Sequence, residues 1–197
     1  MPSIFTHAVA AASLGAAIVP GRKRIIARGA LCAVAPDADV IGFRLGVPYA
    51  DLYGHRGLTH PILAAALLAG FATWLALRLE EDGGVRAARV ALYLFVAAMS
   101  HGLLDAMTDG GLGVAFFAPF WARRYFLPWR PIVVSPIGVR RFLTGRGLAV
   151  VVSEVVVVWV PALALWLVAA SLRRRAVQRR SHSSTSPAWT PSGKSRR

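Results

Sequence analysis

The sequence predicts an all-α, multi-spanning helical membrane protein with a polar metal-site cluster at one membrane face. Three observations carry this expectation. The 197 residues are 56% hydrophobic and only 16% charged, with a mean hydropathy of +0.54, unlike a water-soluble domain. The apolar residues fall into runs punctuated by proline, glycine and charge. The remaining charge is lopsided, with 23 Lys+Arg against 9 Asp+Glu and a formal net charge of +14, as basic loops between spans would give.

A nucleic-acid binder can be this basic but is rarely this apolar, so no specific nucleic-acid partner is expected. Cys32 is the single cysteine and has no intramolecular partner, so a disulfide within the chain is excluded. Met1-Pro2-Ser3 precedes the first apolar residues without a basic cluster, and the basic residues come after them. That order is not a cleavable signal, and the first helix is expected to stay.

Taken in order, Ile4 to Val19 reads as a helix rich in Ala and Gly, with Ser3 as its N-cap and Pro20-Gly21 as its end. Ile25 to Ala35 follows a basic cluster and stops at Pro36. Both are shorter than the roughly 20 residues of a full span and suit a tight hairpin, since small residues allow close approach. Asp37 to Thr59 interrupts with polar residues; Thr59, before His60-Pro61, is a candidate N-cap for the next helix. Pro61 to Leu79 is a span with no charge until Arg78, Glu80 to Arg89 turns the chain around, and Val90 to Leu104 returns. Between Gly113 and Arg146 aromatics, prolines and arginines alternate, which forbids a long helix and suits an interfacial loop at the headgroup level. Leu148 to Leu172 is the longest apolar run, about 25 residues, with Glu154 inside it in a structural role. Residues 1–172 then form one membrane-embedded domain, and 173–197, basic and then Ser- and Pro-rich, a disordered cytoplasmic tail.

Paired hairpins gather the chemistry. If the first two apolar segments form one antiparallel hairpin and the next two another, then His7, Asp37, Asp39, His55, His60, His101, Asp105 and Asp109 emerge together. That set holds four of the five histidines and four of the six aspartates. Fifteen Lys and Arg fall at the opposite face and eight at this one, so the positive-inside rule puts the site face outside the cytoplasm.

His101 and Asp105, four apart on a helix, share a face one turn from each other and can reach one ion. Such groups at the end of an apolar helix are expensive to desolvate and point to function. Asp37-Ala38-Asp39 puts two carboxylates on one side of a turning segment. His55-Arg56-Gly57-Leu58-Thr59-His60 adds two imidazoles and a guanidinium, with Gly57 giving the backbone freedom to bring them round. Imidazoles and carboxylates are the ligands of zinc and related divalent ions at hydrolytic sites.

The ordered motifs Phe5-Thr6-His7, Pro36-Asp37-Ala38-Asp39, His55 to His60, Ser100-His101-Gly102-Leu103-Leu104-Asp105, Pro119-Phe120 and Pro131-Ile132-Val133-Val134-Ser135-Pro136 resemble those of the YdjM-like family of inner-membrane metal-dependent hydrolases. The resemblance covers about residues 1–140, by the positions of these motifs. That family is distantly similar to zinc-dependent phospholipases C and single-strand nucleases. The resemblance implies an inner-membrane location and a metal set of His7, one of Asp37 or Asp39, one of His55 or His60, His101 and a bridging Asp105. One or two divalent ions, zinc first among them, are expected. No second His-x3-Asp or His-x3-Glu pair follows downstream, so a third ion is not.

The chemistry expected is hydrolysis of a phosphodiester or ester near the membrane surface, with lipids as neighbours. The aspartate of the 37/39 pair that holds no ion orients the attacking water as base, for which Asp39 is the candidate. Arg56 meets the anionic part of the substrate. The rivals are a non-catalytic membrane protein with a structural metal or polar cluster, and an ion-coupled transporter. A transporter places its ionisable groups near the midplane, whereas these fall at helix ends.

Overall fold

The computed structural model describes residues 1–79, 85–136, 139–143 and 145–184. Among them every regular element is helical, and the β pairing is limited to two isolated bridges, Thr108 with Ile132 and Val114 with Tyr125. The helices are α1 (Ile4–Ile18), α2 (Lys23–Val34), α3 (Ile62–Arg78), α4 (Ala87–Ala106), the four-residue α5 (Val139–Phe142), α6 (Gly145–Glu154) and α7 (Val160–Ser184). Ala35–Leu45 continues α2 as 3-10 turns, and Val155–Trp159 joins α6 to α7 through a π-type turn.

The expected elements stand at nearly the expected positions. α1 pairs with α2 and α3 with α4, and α4 also packs on both helices of the first pair. The core between them is built from small residues: Ala11, Ala33, Ala65, Ala69, Ala72, Ala76, Ala97 and Ala98 are buried. Lipid tails are as apolar as Leu, so helices in a membrane gain by close van der Waals approach, which small side chains permit. Ile25, Leu94 and Tyr93 are the large side chains buried among them. The buried Tyr93 hydroxyl lies 3.1 Å from the carbonyls of both Ala11 and Ile26, and a Cβ at Gly29 would collide with that hydroxyl.

Among the described residues two helices are long and apolar enough to cross a membrane, Ala87–Ala106 and the continuous Gly145–Arg179; Ile4–Ile18 and Ile62–Arg78 are shorter apolar helices. The outer faces of α3 and α7 leave Leu67, Phe71, Trp74, Leu163, Trp166 and Leu167 exposed, as helices facing hydrocarbon do.

Three expectations need correction. The basic segment from Arg173 was expected to be disordered, yet α7 runs on to Ser184. Arg, Ala, Val and Gln at 173–179 all continue a helix, and the Arg173 guanidinium donates to the Ala16 carbonyl at the end of α1. The rest of the tail, 185–197, and the acidic connection at 80–84 lie outside the described residues. Thr59 does not cap α3: Pro61 holds the N-cap position, and the free Ile62 amide donates to the Phe116 carbonyl at 3.0 Å. Nor is the aromatic segment after α4 only a surface loop. Phe117, Phe120, Trp121 and Trp129 are exposed, but Val114, Ala115 and Ile132 are fully buried. Its backbone is stitched over the site end of the helices by Ala115 N to Arg56 O, Leu127 N to Ala106 O and Ile132 N to Met107 O.

Candidate metal centre

Four chain segments bring their polar residues to one end of the helix pairs. His7 stands in the first turns of α1, Asp37 just past α2, His60 just before α3, and His101 and Asp105 in the last turns of α4. Antiparallel pairing puts all four places at the same end. His7, Asp37, His55, Arg56, His60, His101 and Asp105 are each at most 4% exposed.

The atoms converge closely. The Nε2 atoms of His60 and His101 lie 2.9 Å apart. His60 Nε2 is 3.4 Å from Asp105 Oδ2, and His101 Nε2 is 3.5 Å from Asp37 Oδ1. His7 Nε2 stands 3.7 Å from Asp105 Oδ1 and 4.0 Å from Asp37 Oδ2, with its ring stacked on that of His101 at a centroid distance of 3.9 Å. Among the described residues, Asp37, His60, His101 and Asp105 offer ligand atoms all within 4.8 Å of one another.

Hydrogen-bond partners fix the tautomers. His101 Nδ1 is 2.7 Å from the Ala33 carbonyl, which can only accept, so Nδ1 carries the proton and Nε2 a lone pair. The Thr59 hydroxyl donates to Asp39 Oδ2 at 2.6 Å and its oxygen accepts from His60 Nδ1 at 2.8 Å, leaving a lone pair on His60 Nε2 as well. Two lone pairs facing each other at 2.9 Å repel unless a cation lies with them. Both Asp37 oxygens, Asp105 Oδ1 and both His7 ring nitrogens are buried without hydrogen-bond partners, although buried polar groups are almost always satisfied. A divalent ion fits this donor set: its charge balances two carboxylates, and its coordination takes up lone pairs that nothing else meets. Zinc is one of several ions such ligands suit.

A second group, Asp39, His55 and His60, also has ligand atoms within 4.8 Å, but its atoms are already engaged. His55 Nδ1 lies 2.6 Å from Asp39 Oδ1, and Asp39 Oδ2 takes the Arg56 amide at 3.2 Å besides the Thr59 hydroxyl. Asp39 is therefore a hub that orients two imidazoles, as outer carboxylates do for metal-bound histidines. Asp39, expected as the water-orienting base, has both oxygens turned to donors of the chain itself. The free atom of this group is His55 Nε2, buried and without a partner.

Arg56 also differs from expectation. Expected to meet substrate, its guanidinium is fully buried and turned inward. Nε lies 2.8 Å from Asp105 Oδ2, Nη2 donates to Thr108 Oγ1 at 3.0 Å and Nη1 to the Gly110 carbonyl at 3.2 Å. Its backbone sits at φ 65°, a region costly for a residue with a Cβ. Gly57 is needed for a different reason from the one expected: a Cβ there would collide with the Leu52 carbonyl, which accepts from Leu58 N. Asp109 lies apart from the ion-binding set, where Oδ1 accepts from Val134 N at 2.8 Å.

The electrostatics follow the packing. Burial and then the charge of Asp105 push the Asp37 carboxyl up to about 8. Burial acts the same way on Asp39, but hydrogen bonds and charge from His55, followed by His60 and Thr59, outweigh it and hold that carboxyl below the usual range. Burial lowers His55, with Asp39 opposing. Sequence reasoning missed Thr108 and Arg124. Arg124 donates to the carbonyls of His55, Tyr49 and Asp51 at 2.8, 3.2 and 2.9 Å and so pins the 49–55 loop; neither residue stands in a motif that would have announced it.

Comparison with known proteins shows the family of the chain. The family described as YdjM inner membrane protein matches residues 1–177. Inner membrane protein YbcI of Escherichia coli (strain K12) is 36% identical over 169 residues, covering 84% of this chain and 95% of that protein. No solved structure matches at a significant level. With both helix pairs, the buried His/Asp cluster and the start of the last apolar helix all inside the matched region, the chain belongs to the YdjM inner membrane protein family.

Proposed function

We propose that this protein is a membrane-bound metal-dependent hydrolase acting on a phosphodiester or ester at the membrane surface. The observation that carries the proposal is the pair of facing Nε2 lone pairs of His60 and His101, 2.9 Å apart, ringed by carboxylate oxygens that lack partners. Asp37, His60, His101 and Asp105 would hold the ion, with His7 next to them. When bound, a divalent ion supplies Lewis-acid activation of a phosphoryl or carbonyl oxygen and of water.

The residues of the chain divide the remaining work. Arg56 fixes the Asp105 carboxylate through the 2.8 Å pair. Asp39 holds His55 with its Nδ1 proton inward, so that Nε2 is the group able to accept a proton. The exposed Phe120, Trp121 and Trp129, beside Arg123 and Arg130, suit the headgroup level of a bilayer and would keep the site end among lipid headgroups. A multi-pass arrangement with this end outside the cytoplasm and the basic end of α7 inside accords with the distribution of Lys and Arg. Arg56, being buried, adds nothing to the loop charge at the site end.

One observation favours a non-catalytic ion instead: His7, His101 and Asp105 have no exposed surface at all. Elemental analysis of detergent-purified protein, wild type beside His101→Ala and Asp105→Ala, tests the metal centre. About one equivalent of divalent ion in the wild type, lost in both variants, is expected; none in the wild type overturns the reading. Turnover of a generic phosphodiester by the ion-loaded wild type then separates hydrolase from structural metal, and its absence across phosphodiesters and esters favours the latter.

A further inference from the structure

Glu154 stands inside the long apolar helix that runs from Gly145 to Arg179 and is only 1% exposed. It does not reach the metal centre. Its carboxylate instead sits on the start of α1: Oε1 accepts from Ser3 N at 2.5 Å, and Oε2 accepts from Ser3 Oγ at 2.5 Å and Thr6 Oγ1 at 2.6 Å. The Trp159 indole N–H donates to the same Thr6 oxygen at 2.7 Å. Ser3 is the N-cap residue of α1, but its hydroxyl makes no cap bond within its own helix. The anionic cap that a helix N-terminus favours is supplied from the other end of the sequence.

The π-type turn explains how two residues of one helix reach one hydroxyl. Glu154 and Trp159 are five apart. In an α-helix they would diverge by about 140°, whereas a π turn, closed by i→i+5 hydrogen bonds, brings such residues nearer to one face. Val155–Trp159 forms that turn, and both side chains converge on Thr6.

Thr6 precedes His7. His101 and His60 are each locked by a hydrogen bond at Nδ1, but neither ring nitrogen of His7 has one. The placement of His7 rests on the pose of α1 and on its stack against His101. We infer that Glu154 is a positioning residue for the metal centre, acting through the N-terminus of α1 to set His7 against Asp105 and Asp37. The inference rests on the metal-centre reading above.

The test is zinc affinity of the full chain in detergent, measured against a competing chromophoric chelator, for wild type, Glu154→Gln, His7→Ala and the double variant. Glu154→Gln is expected to weaken zinc about tenfold, as loss of an outer-shell partner does. His7→Ala should weaken it too, and the double variant should be no weaker than His7→Ala alone. A general structural defect would instead add to the His7→Ala effect. If Glu154→Gln fails to fold, Thr6→Val takes its place, removing one donor to the carboxylate and the acceptor of the indole, with the same pattern expected. Zinc binding in the wild type with unchanged affinity in these variants, or with effects that add to that of His7→Ala, overturns this inference alone. No zinc binding in the wild type removes this inference, and elemental analysis of the same protein then decides whether another divalent ion holds the metal centre or none does.

Discussion

Arg56 Nε and Asp105 Oδ2 meet at 2.8 Å where neither residue has any solvent exposure. A buried ion pair is weak evidence for stability as a pair, but removing one partner leaves an uncompensated charge and costs about 3–5 kcal/mol. Arg56→Gln is therefore expected to destabilise the protein by about that amount in thermal or denaturant unfolding. Arg56→Lys should not restore it, because one ammonium cannot serve Asp105, Thr108 and Gly110 together. A loss below about 1 kcal/mol on the same scale would mean that the pair does not hold the site.

The ligand set gives a pattern of metal contents. His60→Ala and Asp37→Asn should each drop the bound ion well below one equivalent by elemental analysis. Asp109→Asn should keep it, since Asp109 serves only the Val134 amide among the contacts described. Equal loss in all three would show a collapsed fold and not a coordination set.

The loop between α2 and α3 depends on one missing methyl. In Gly57→Ala the new Cβ would collide with the Leu52 carbonyl, and the loop presenting His55 and His60 must shift. An overpacked site of this kind costs about 1–3 kcal/mol, and the same shift should lower metal content. Retention of both wild-type stability and wild-type metal content would show that the loop has slack.

Asp37 makes the ion-free protein sensitive to pH. Burial raises its folded carboxyl from 3.8 to about 8. Below about pH 4 both folded and unfolded states hold the proton and the group contributes nothing. Between about 4 and 8 the unfolded state has lost the proton while the folded state keeps it, so stability falls as pH rises, by about 1.4 kcal/mol per pH unit for one proton. Asp37→Asn removes this titration. The stability of the chelator-stripped variant relative to stripped wild type should therefore climb across that window, and parallel curves would refute the assignment.

Much of the molecule was legible in the order of residues. The apolar runs at 4–19, 25–35, 61–79, 90–104 and 148–172 became α1, α2, α3, α4 and the continuous α6–α7, because in such a chain helix is the structure that satisfies the backbone internally. The spacing of His101 and Asp105 placed both on one face of α4, where they are found buried. The meeting of His7 with Asp37 at 4.0 Å followed from hairpin pairing alone.

The division of roles within the cluster was decided only by the tertiary structure. Sequence left open which of Asp37 and Asp39, and which of His55 and His60, holds the ion. Packing separates them, since Asp39 falls where Thr59, His55 and the Arg56 amide can all donate to it, while Asp37 is buried with no donor. Arg56 looked outward by composition and points inward because Asp105, Thr108 and Gly110 surround it. Glu154 lies some 150 residues from Ser3, and no local pattern announces that pairing. The sequence by itself determined the helices and which end of them is polar, since both are set by short-range periodicity and hydropathy. Which polar atoms face an ion and which face one another depends on long-range packing, where each carboxylate takes the donors that the fold brings to it.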